Sequence, residues 1–219
     1  MHTKNDERVY RILLDGRWSL EDMTVFSRVY FQNYSFLYCL ETNEVGIASS
    51  RIESVLQNYE LRSGLSYVNI YDIFRSHVAK YDKPQIKAIT YASPGWIDLA
   101  LNPDVATQFA KVLGVYLGAP VVALGSYKKL YKLYSDLSKL RKEKRNSALK
   151  LDSSNMLLAQ SLNNELAKGL GFASLSDLDN HTKDTEETSK LLMPHCRRVK
   201  KIAKFVQDGK AQFPEDNDS

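Results

Sequence analysis

The chain has 219 residues, of which 43% are hydrophobic and 26% charged, and its net charge is a mild +4. This is the composition of an ordinary globular protein with a sizeable core. Two cysteines are too few for a disulfide-stabilised secreted scaffold, and the sequence shows neither a signal peptide nor an apolar run of about 18 residues. We therefore expect a cytoplasmic protein without a membrane partner.

Short-range signals predict the N-terminal elements. The apolar run Val9–Leu14 ends in the turn dipeptide Asp15-Gly16 and predicts a strand. Ser19 precedes acidic residues and suits the N-cap of a helix that starts at the next residue. Apolar residues at helical spacing predict two further helices, over about 48–62 and 68–81.

A β-hairpin is predicted over Ile86–Leu101. Two runs rich in β-branched and aromatic residues flank Ser93-Pro94-Gly95. Pro94 presets its φ for a turn, and Gly95 can take the positive φ that the next position of a type II turn needs. Asn102 then suits the N-cap of a helix that ends at Gly118.

The second half of the sequence is predicted to be helical, because apolar residues recur there at helical spacing. The sequence therefore predicts an α+β fold, with a small, mostly antiparallel sheet of about three strands packed with helices. A helical C-terminal portion follows. The predicted helices cover about 126–145, 155–168 and 186–207. The predicted division is an α+β domain over 1–125, a helical portion over 126–210 and a disordered acidic tail over 211–219.

Four leucines on the helix predicted over 126–145 are spaced in steps of three and four, which is the pattern of a seam between two helices. We predict this seam as the interface with a protein partner or with a second copy of the chain. The four residues are Leu130, Leu133, Leu137 and Leu140.

The same helix is strongly basic, with eight cations within eighteen residues against only Asp136 and Glu143. Tyr127, Tyr131 and Tyr134 are interleaved with these cations. Cations on one face suit phosphates, and tyrosines can stack on unpaired bases, although a solvated helix face has the same pattern. Nucleic acid is therefore the alternative partner. Its predicted contacts, which include a second basic block on the last helix, are Lys128, Lys132, Lys139, Arg141, Lys142, Lys144, Arg145, Arg197 and Arg198.

The sequence carries no phosphate-binding loop and no zinc-protease, hydrolase or kinase motif, so we predict no catalytic residue, metal ligand or cofactor. Asp98 lies between apolar residues of the hairpin. We interpret it as an edge-strand carboxylate that faces water, with a polar site beside the turn as the alternative. His195 and Cys196 point about 100° apart on a helix and are poorly placed as a base and nucleophile. The polar stretch 177–181 is interpreted as a solvated loop rather than a metal site.

The hairpin also carries a resemblance. Tyr91-Ala92-Ser93-Pro94-Gly95, the run from Trp96 to Leu101 and the helix from Pro103 resemble uncharacterised bacterial α+β modules that contain a Tyr-Gly/Ala-Ser-Pro turn. Such modules are often accessory parts of phage-defence loci. The resemblance implies a sensor, adaptor or regulatory role, and it offers no catalytic residue to transfer.

Taken with the leucine seam, this resemblance predicts a non-enzymatic bacterial interaction protein, which assembles with itself or with a partner as a component of an antiviral defence system. The first alternative is a nucleic-acid-binding protein that uses the basic helices. The second alternative is an enzyme with an unrecognised site around Asp98 or His195.

Overall fold

The computed structural model describes residues 9–41, 70–146, 148–172, 182 and 184–214. The α+β class is confirmed, because these residues form a small antiparallel sheet packed with helices. The helix predicted over 48–62 and the polar stretch 177–181 lie outside the described residues. In chain order the elements are β1 (Val9–Leu14), α1 (Leu20–Glu41), α2 (Ile70–His77), β2 (Gln85–Thr90), β3 (Gly95–Ala100), α3 (Pro103–Gly118), α4 (Pro120–Glu143), α5 (Ser153–Gly169), α6 (Thr185–Gln207) and β4 (Ala211–Gln212).

The sheet has the strand order β2-β3-β1-β4, and its neighbours are antiparallel. Tyr10, Ile12 and Leu14 alternate with half-buried residues along β1, so one face of the sheet forms part of the core. On β3 the same alternation buries Ile97 and Leu99. The predicted hairpin is therefore present, and β3 lies inside the sheet rather than at its edge.

Glycine is required in the hairpin turn for a different reason from the one predicted. Gly95 does not use a positive φ, unlike Gly16 in the turn after β1, whose φ is 66°. A Cβ on Gly95 would lie too close to backbone atoms of the preceding strand and turn, including Ala92 N at 2.9 Å. The close approach of two backbone segments therefore demands glycine here.

The segment after α6 belongs to the core. Ala211 and Gln212 pair with Leu14 and Leu13 of β1. The next residue, Phe213, packs against three rings of the core, and Tyr10 Oη donates a hydrogen bond of 2.7 Å to the carbonyl of Pro214. The rings that Phe213 contacts are those of Phe26, Tyr30 and Phe109. The predicted disordered tail is thus corrected for residues 211–214, while residues 215–219 lie outside the described part of the chain.

Helix α4 begins earlier than predicted. Pro120 occupies its first turn, where a missing N–H costs nothing. Residues 121–125 are therefore helical, and the predicted boundary after residue 125 lies inside the helix. Helices α3 and α4 meet at an angle of 88°. No single helix of the described residues is long and apolar enough to cross a membrane, and α3 and α4 satisfy that criterion only together, as a bent pair.

Candidate anion-binding cleft

A cleft of about 350 Å³ opens between α1 and α6, and its volume is in the range of small-ligand pockets. Arg28 and Gln32 are one turn apart on α1, and Arg197 and Lys201 are one turn apart on α6, so each pair shares a helix face. Four of the six lining residues are cationic and none is acidic. We call this feature the basic cleft; its lining residues are Arg28, Val29, Gln32, Arg197, Arg198 and Lys201.

Arg198 is held in a fixed orientation at the basic cleft. Its Nε donates to Gln32 Oε1 at 2.9 Å, and its Nη1 donates to the carbonyl of Pro194 at 3.0 Å. The guanidinium carbon lies 3.4 Å from the centre of the Tyr71 ring, which is a close cation–π contact. A planar guanidinium positioned in this way loses little further entropy when it binds an anion.

Three of these cations have no carboxylate partner within the described part of the chain. Among the described residues, no Asp or Glu lies within ion-pair distance of Arg28, Arg198 or Lys201. Burial lowers the pKa of Arg198 from its ordinary value, and the charges of Arg197 and Arg28 lower it further, although Tyr71 raises it. The basic cleft therefore concentrates positive charge that an anion would relieve.

His195 precedes Arg197 and Arg198 of the basic cleft on α6 and is fully buried. Its ring stacks on Phe36 with centroids 4.0 Å apart, and neither ring nitrogen has a hydrogen-bond partner within the described chain. Burial, assisted by the charge of Arg198, lowers the pKa of His195 to about 3. Burial raises the pKa of the neighbouring Cys196 thiol to about 12. A buried, protonated thiol is unreactive, so this pair offers no thiolate nucleophile.

Asp98 is paired within the sheet. Its two carboxylate oxygens accept hydrogen bonds of 2.7 and 2.9 Å from Nε and Nη2 of Arg11, which lies opposite it on β1. The same guanidinium lies 5.0 Å from the ring centre of Trp96. The edge-strand interpretation is thus corrected, and the polar group at the turn is a separate one, in which Ser93 donates to Asp15. Asp98 has a structural role in this arrangement.

The predicted leucine interface is largely occupied by the chain itself. Leu130 and Leu137 are buried, where α4 packs against α5 and α6. Leu133 is partly buried against the same core, and Leu140 is 42% exposed. The spacing therefore identified a helix seam correctly, but helices of the same chain cover two of its four leucines, and these two are not accessible to a partner.

The predicted nucleic-acid contacts fall into three groups. Arg197 and Arg198 line the basic cleft. Arg141 is removed from the set, because it is only 12% exposed and forms two hydrogen bonds of 3.0 Å with the carboxylate of Glu186. The remaining cations of α4 and the turn after it are exposed, without the convergence seen in the basic cleft; they are Lys128, Lys132, Lys139, Lys142, Lys144 and Arg145.

Sequence reasoning missed the α1 side of the basic cleft. Arg28 is an isolated cation in the sequence, and Gln32 carries no signal of binding. Only the packing of α1 on α6 brings them to the second basic block. The described residues contain no group of three or more His, Cys, Asp or Glu that could hold a metal ion. Comparison with known proteins finds no protein-family model, no curated protein and no solved structure that matches the chain.

Proposed function

We propose that this protein binds nucleic acid, with phosphate groups held in the basic cleft. The observation that carries the proposal is the convergence of Arg28, Arg197, Arg198 and Lys201 from two helices on one cleft. None of the described residues that line this cleft is acidic. Neighbouring cations repel one another, and a phosphate replaces that repulsion with charge-assisted hydrogen bonds. The local charge therefore supports an anionic ligand.

The donor groups of the basic cleft suit phosphate oxygens. The guanidinium of Arg198 is planar and oriented by three contacts, and arginine can bind two oxygens of one phosphate. Gln32 uses its Oε1 to accept from Arg198, which leaves its amide NH₂ as a donor group. Phosphate contacts of this kind provide affinity and position the ligand, but they do not read sequence.

A polymeric ligand is supported by the charges beyond the basic cleft. Lys200 and Lys204 are exposed on α6. Together with Lys201 of the basic cleft they follow Arg197 at intervals that keep cations along one side of the helix. A single phosphate would engage only the basic cleft, whereas a nucleic acid backbone can contact this row as well. Binding of several phosphates predicts a steep dependence on salt, because each contact releases condensed counterions.

The test is binding of a fluorescently labelled oligonucleotide at salt concentrations from about 50 to 200 mM. Arg28→Ala and Lys201→Ala remove exposed cations of the basic cleft, so each is expected to weaken binding several-fold and to reduce the salt slope by about 1. Lys111→Ala is the matched control, because it removes an exposed cation of α3 far from the candidate residues in sequence. It should bind like the unmodified protein.

Two outcomes would overturn the proposal. The first is no oligonucleotide binding at about 50 mM salt. The second is equal weakening by Lys111→Ala and Lys201→Ala, which would indicate an effect of net charge alone. Lys142→Ala extends the test to the exposed face of α4, and weakening by this substitution in place of Lys201→Ala would move the site to that face.

The role as an assembling component of an antiviral defence system stays a prediction. Leu130 and Leu137 are used inside the chain, so an interface on α4 would depend on the exposed Leu140. Light scattering of the unmodified protein and of Leu140→Asp measures this directly. A defined oligomer that dissociates in the variant would support the prediction, and a monomer in both would contradict it.

A further inference from the structure

We infer that the ligand of the basic cleft is a single strand, one of whose bases stacks on Tyr131. This inference rests on the proposed nucleic-acid binding and specifies which form of nucleic acid the site takes. It follows from the position of an aromatic pair of α4 beside the cleft, and from the different surroundings of the three tyrosines on that helix.

The aromatic pair borders the basic cleft through Arg197. Burial raises the pKa of the Tyr127 phenol, and the nearby guanidinium of Arg197 opposes this effect. Helices α4 and α6, which carry these two residues, are in contact. The rings of Tyr127 and Tyr131 are one helical turn apart, with centroids 6.4 Å apart and planes inclined by 24°. Tyr127 therefore lies between Arg197 of the basic cleft and the ring of Tyr131.

Only one of the three tyrosines offers an accessible ring. Tyr134 is 3% exposed and its hydroxyl accepts a hydrogen bond from Ser189, so it belongs to the core. Tyr127 is half-buried and engaged with Arg197. Tyr131 is 38% exposed. It is the member of the set on which a base can stack.

Charge accompanies this ring. Lys128 is exposed and lies three residues before Tyr131 on α4, so a cation borders the ring on the same helix face. The exposed Lys132 follows on the adjacent face. A base stacked on Tyr131 would therefore have its own phosphates near lysines, while the neighbouring phosphates reach the basic cleft. Aromatic rings interleaved with cations are the usual surface for single strands.

A duplex does not suit this arrangement. Its bases are stacked on one another, so a side chain reaches a base face only after unstacking, which costs a few kcal/mol per step. The bases of a single strand present their faces freely, and every base can stack on an aromatic ring. The site is therefore expected to prefer single strands without strong sequence preference.

The experiment compares an oligothymidylate of about 12 nucleotides with a duplex of equal length at one salt concentration. The unmodified protein should bind the single strand more tightly. Tyr131→Ala should weaken that binding roughly tenfold, as expected for the loss of one stacked base, while Tyr131→Phe retains it because the ring remains. Tyr91→Ala, which removes a tyrosine that is 69% exposed on the hairpin, is the matched control and should change nothing.

The outcomes separate this inference from the proposal beneath it. Equal or tighter duplex binding, or an unchanged affinity in Tyr131→Ala, overturns the single-strand inference and leaves nucleic-acid binding intact. Weakening in Tyr131→Phe equal to that in Tyr131→Ala also overturns it, because stacking would not be the cause. Absence of binding to both probes overturns the proposed function itself. Equal unfolding midpoints of the variants show that the fold is unchanged.

Discussion

The two halves of α6 differ in the carboxylates that surround their cations. In the N-terminal half, Lys190 lies within 4 Å of Glu186 and Glu187, and Arg141 of α4 pairs with Glu186. The C-terminal half contributes Arg197, Arg198 and Lys201 to the basic cleft, which Arg28 of α1 completes. The described lining of this cleft contains no carboxylate. The comparison teaches that the number of cations on a helix does not identify a binding surface. What matters is whether the fold supplies their counterions.

The paired cluster has the properties of a structural tether. Arg141 and Glu186 are 12% and 16% exposed, and the Arg141 Nε also donates to the carbonyl of Leu149 at 2.8 Å. The Lys190 side chain is 6% exposed. Burial raises the pKa of Glu187, although Lys190 opposes this effect. These groups satisfy one another and join α4 to α6, so they have no charge left for a ligand.

The largest effect is expected from breaking the tether. Arg141→Ala leaves the sheltered carboxylate of Glu186 without its main partner, and loss of one member of a buried pair costs about 3 kcal/mol in the free energy of unfolding. Lys142→Ala, at an exposed position next to it, should change the stability by less than about 0.5 kcal/mol. Chemical denaturation measures both. Equal effects would remove the distinction between the paired and unpaired cations.

The next effect concerns the basic cleft. A saturating oligonucleotide, at about 100 times its dissociation constant, should stabilise the protein by about 2.7 kcal/mol and raise its melting temperature by roughly 5 to 10 °C. In the double variant Arg28→Gln and Lys201→Gln this rise should shrink, while the melting temperature without ligand at low salt should not fall, because repulsion is reduced. A lower melting temperature of the free variant would show that these cations are structural.

His195 lies between the two halves and makes stability depend on pH. Its pKa in the folded protein is about 3 and about 6.5 when unfolded, so the unfolded state binds a proton first as the pH falls. Its contribution to stability is complete above pH 6.5 and is lost as the pH falls from there towards 3. Between pH 7 and 5 the loss is about 2 kcal/mol.

The substitution His195→Leu should flatten this decline, which denaturation at several pH values measures. His77→Leu is the control, because His77 is only partly buried on α2. If the decline in stability between pH 7 and 5 is unchanged in His195→Leu, His195 is not the group responsible. Carboxylates or other histidines then cause the decline.

The smallest effect is expected from a partly exposed ion pair between Asp22, in the first turn of α1, and Lys210, which follows α6. The N–H of Ser19 and the ammonium of Lys210 both donate to Asp22, and together they lower its pKa to about 2. The stability that Asp22 contributes is present above pH 4 and is lost as the pH falls towards 2. Asp22→Asn should remove this part of the acid dependence, seen as a smaller fall in melting temperature between pH 4 and 2.

Features set by neighbouring residues were predictable, and those set by distant residues were not. The run Val9–Leu14 and the Asn102 cap, whose side chain accepts from the Asp104 N–H, depend on local signals and were identified. Arg141 was misassigned because its counterion lies 45 residues away. The leucine spacing identified a seam, but spacing cannot tell whether the covering helix comes from the same chain. Arg28 was missed because it becomes part of a cationic cleft only where α6 packs against α1.

The hydrogen bond from Arg198 to Gln32 joins positions 166 residues apart. A ligand that binds as proposed would touch both helices and would act as a reversible cross-link between an early and a late segment of the chain. Because its site needs both segments docked, we expect its contacts to form late in folding. Contacts that form late slow unfolding and leave the folding rate nearly unchanged. We therefore expect the ligand to lengthen the lifetime of the folded state against proteases and heat.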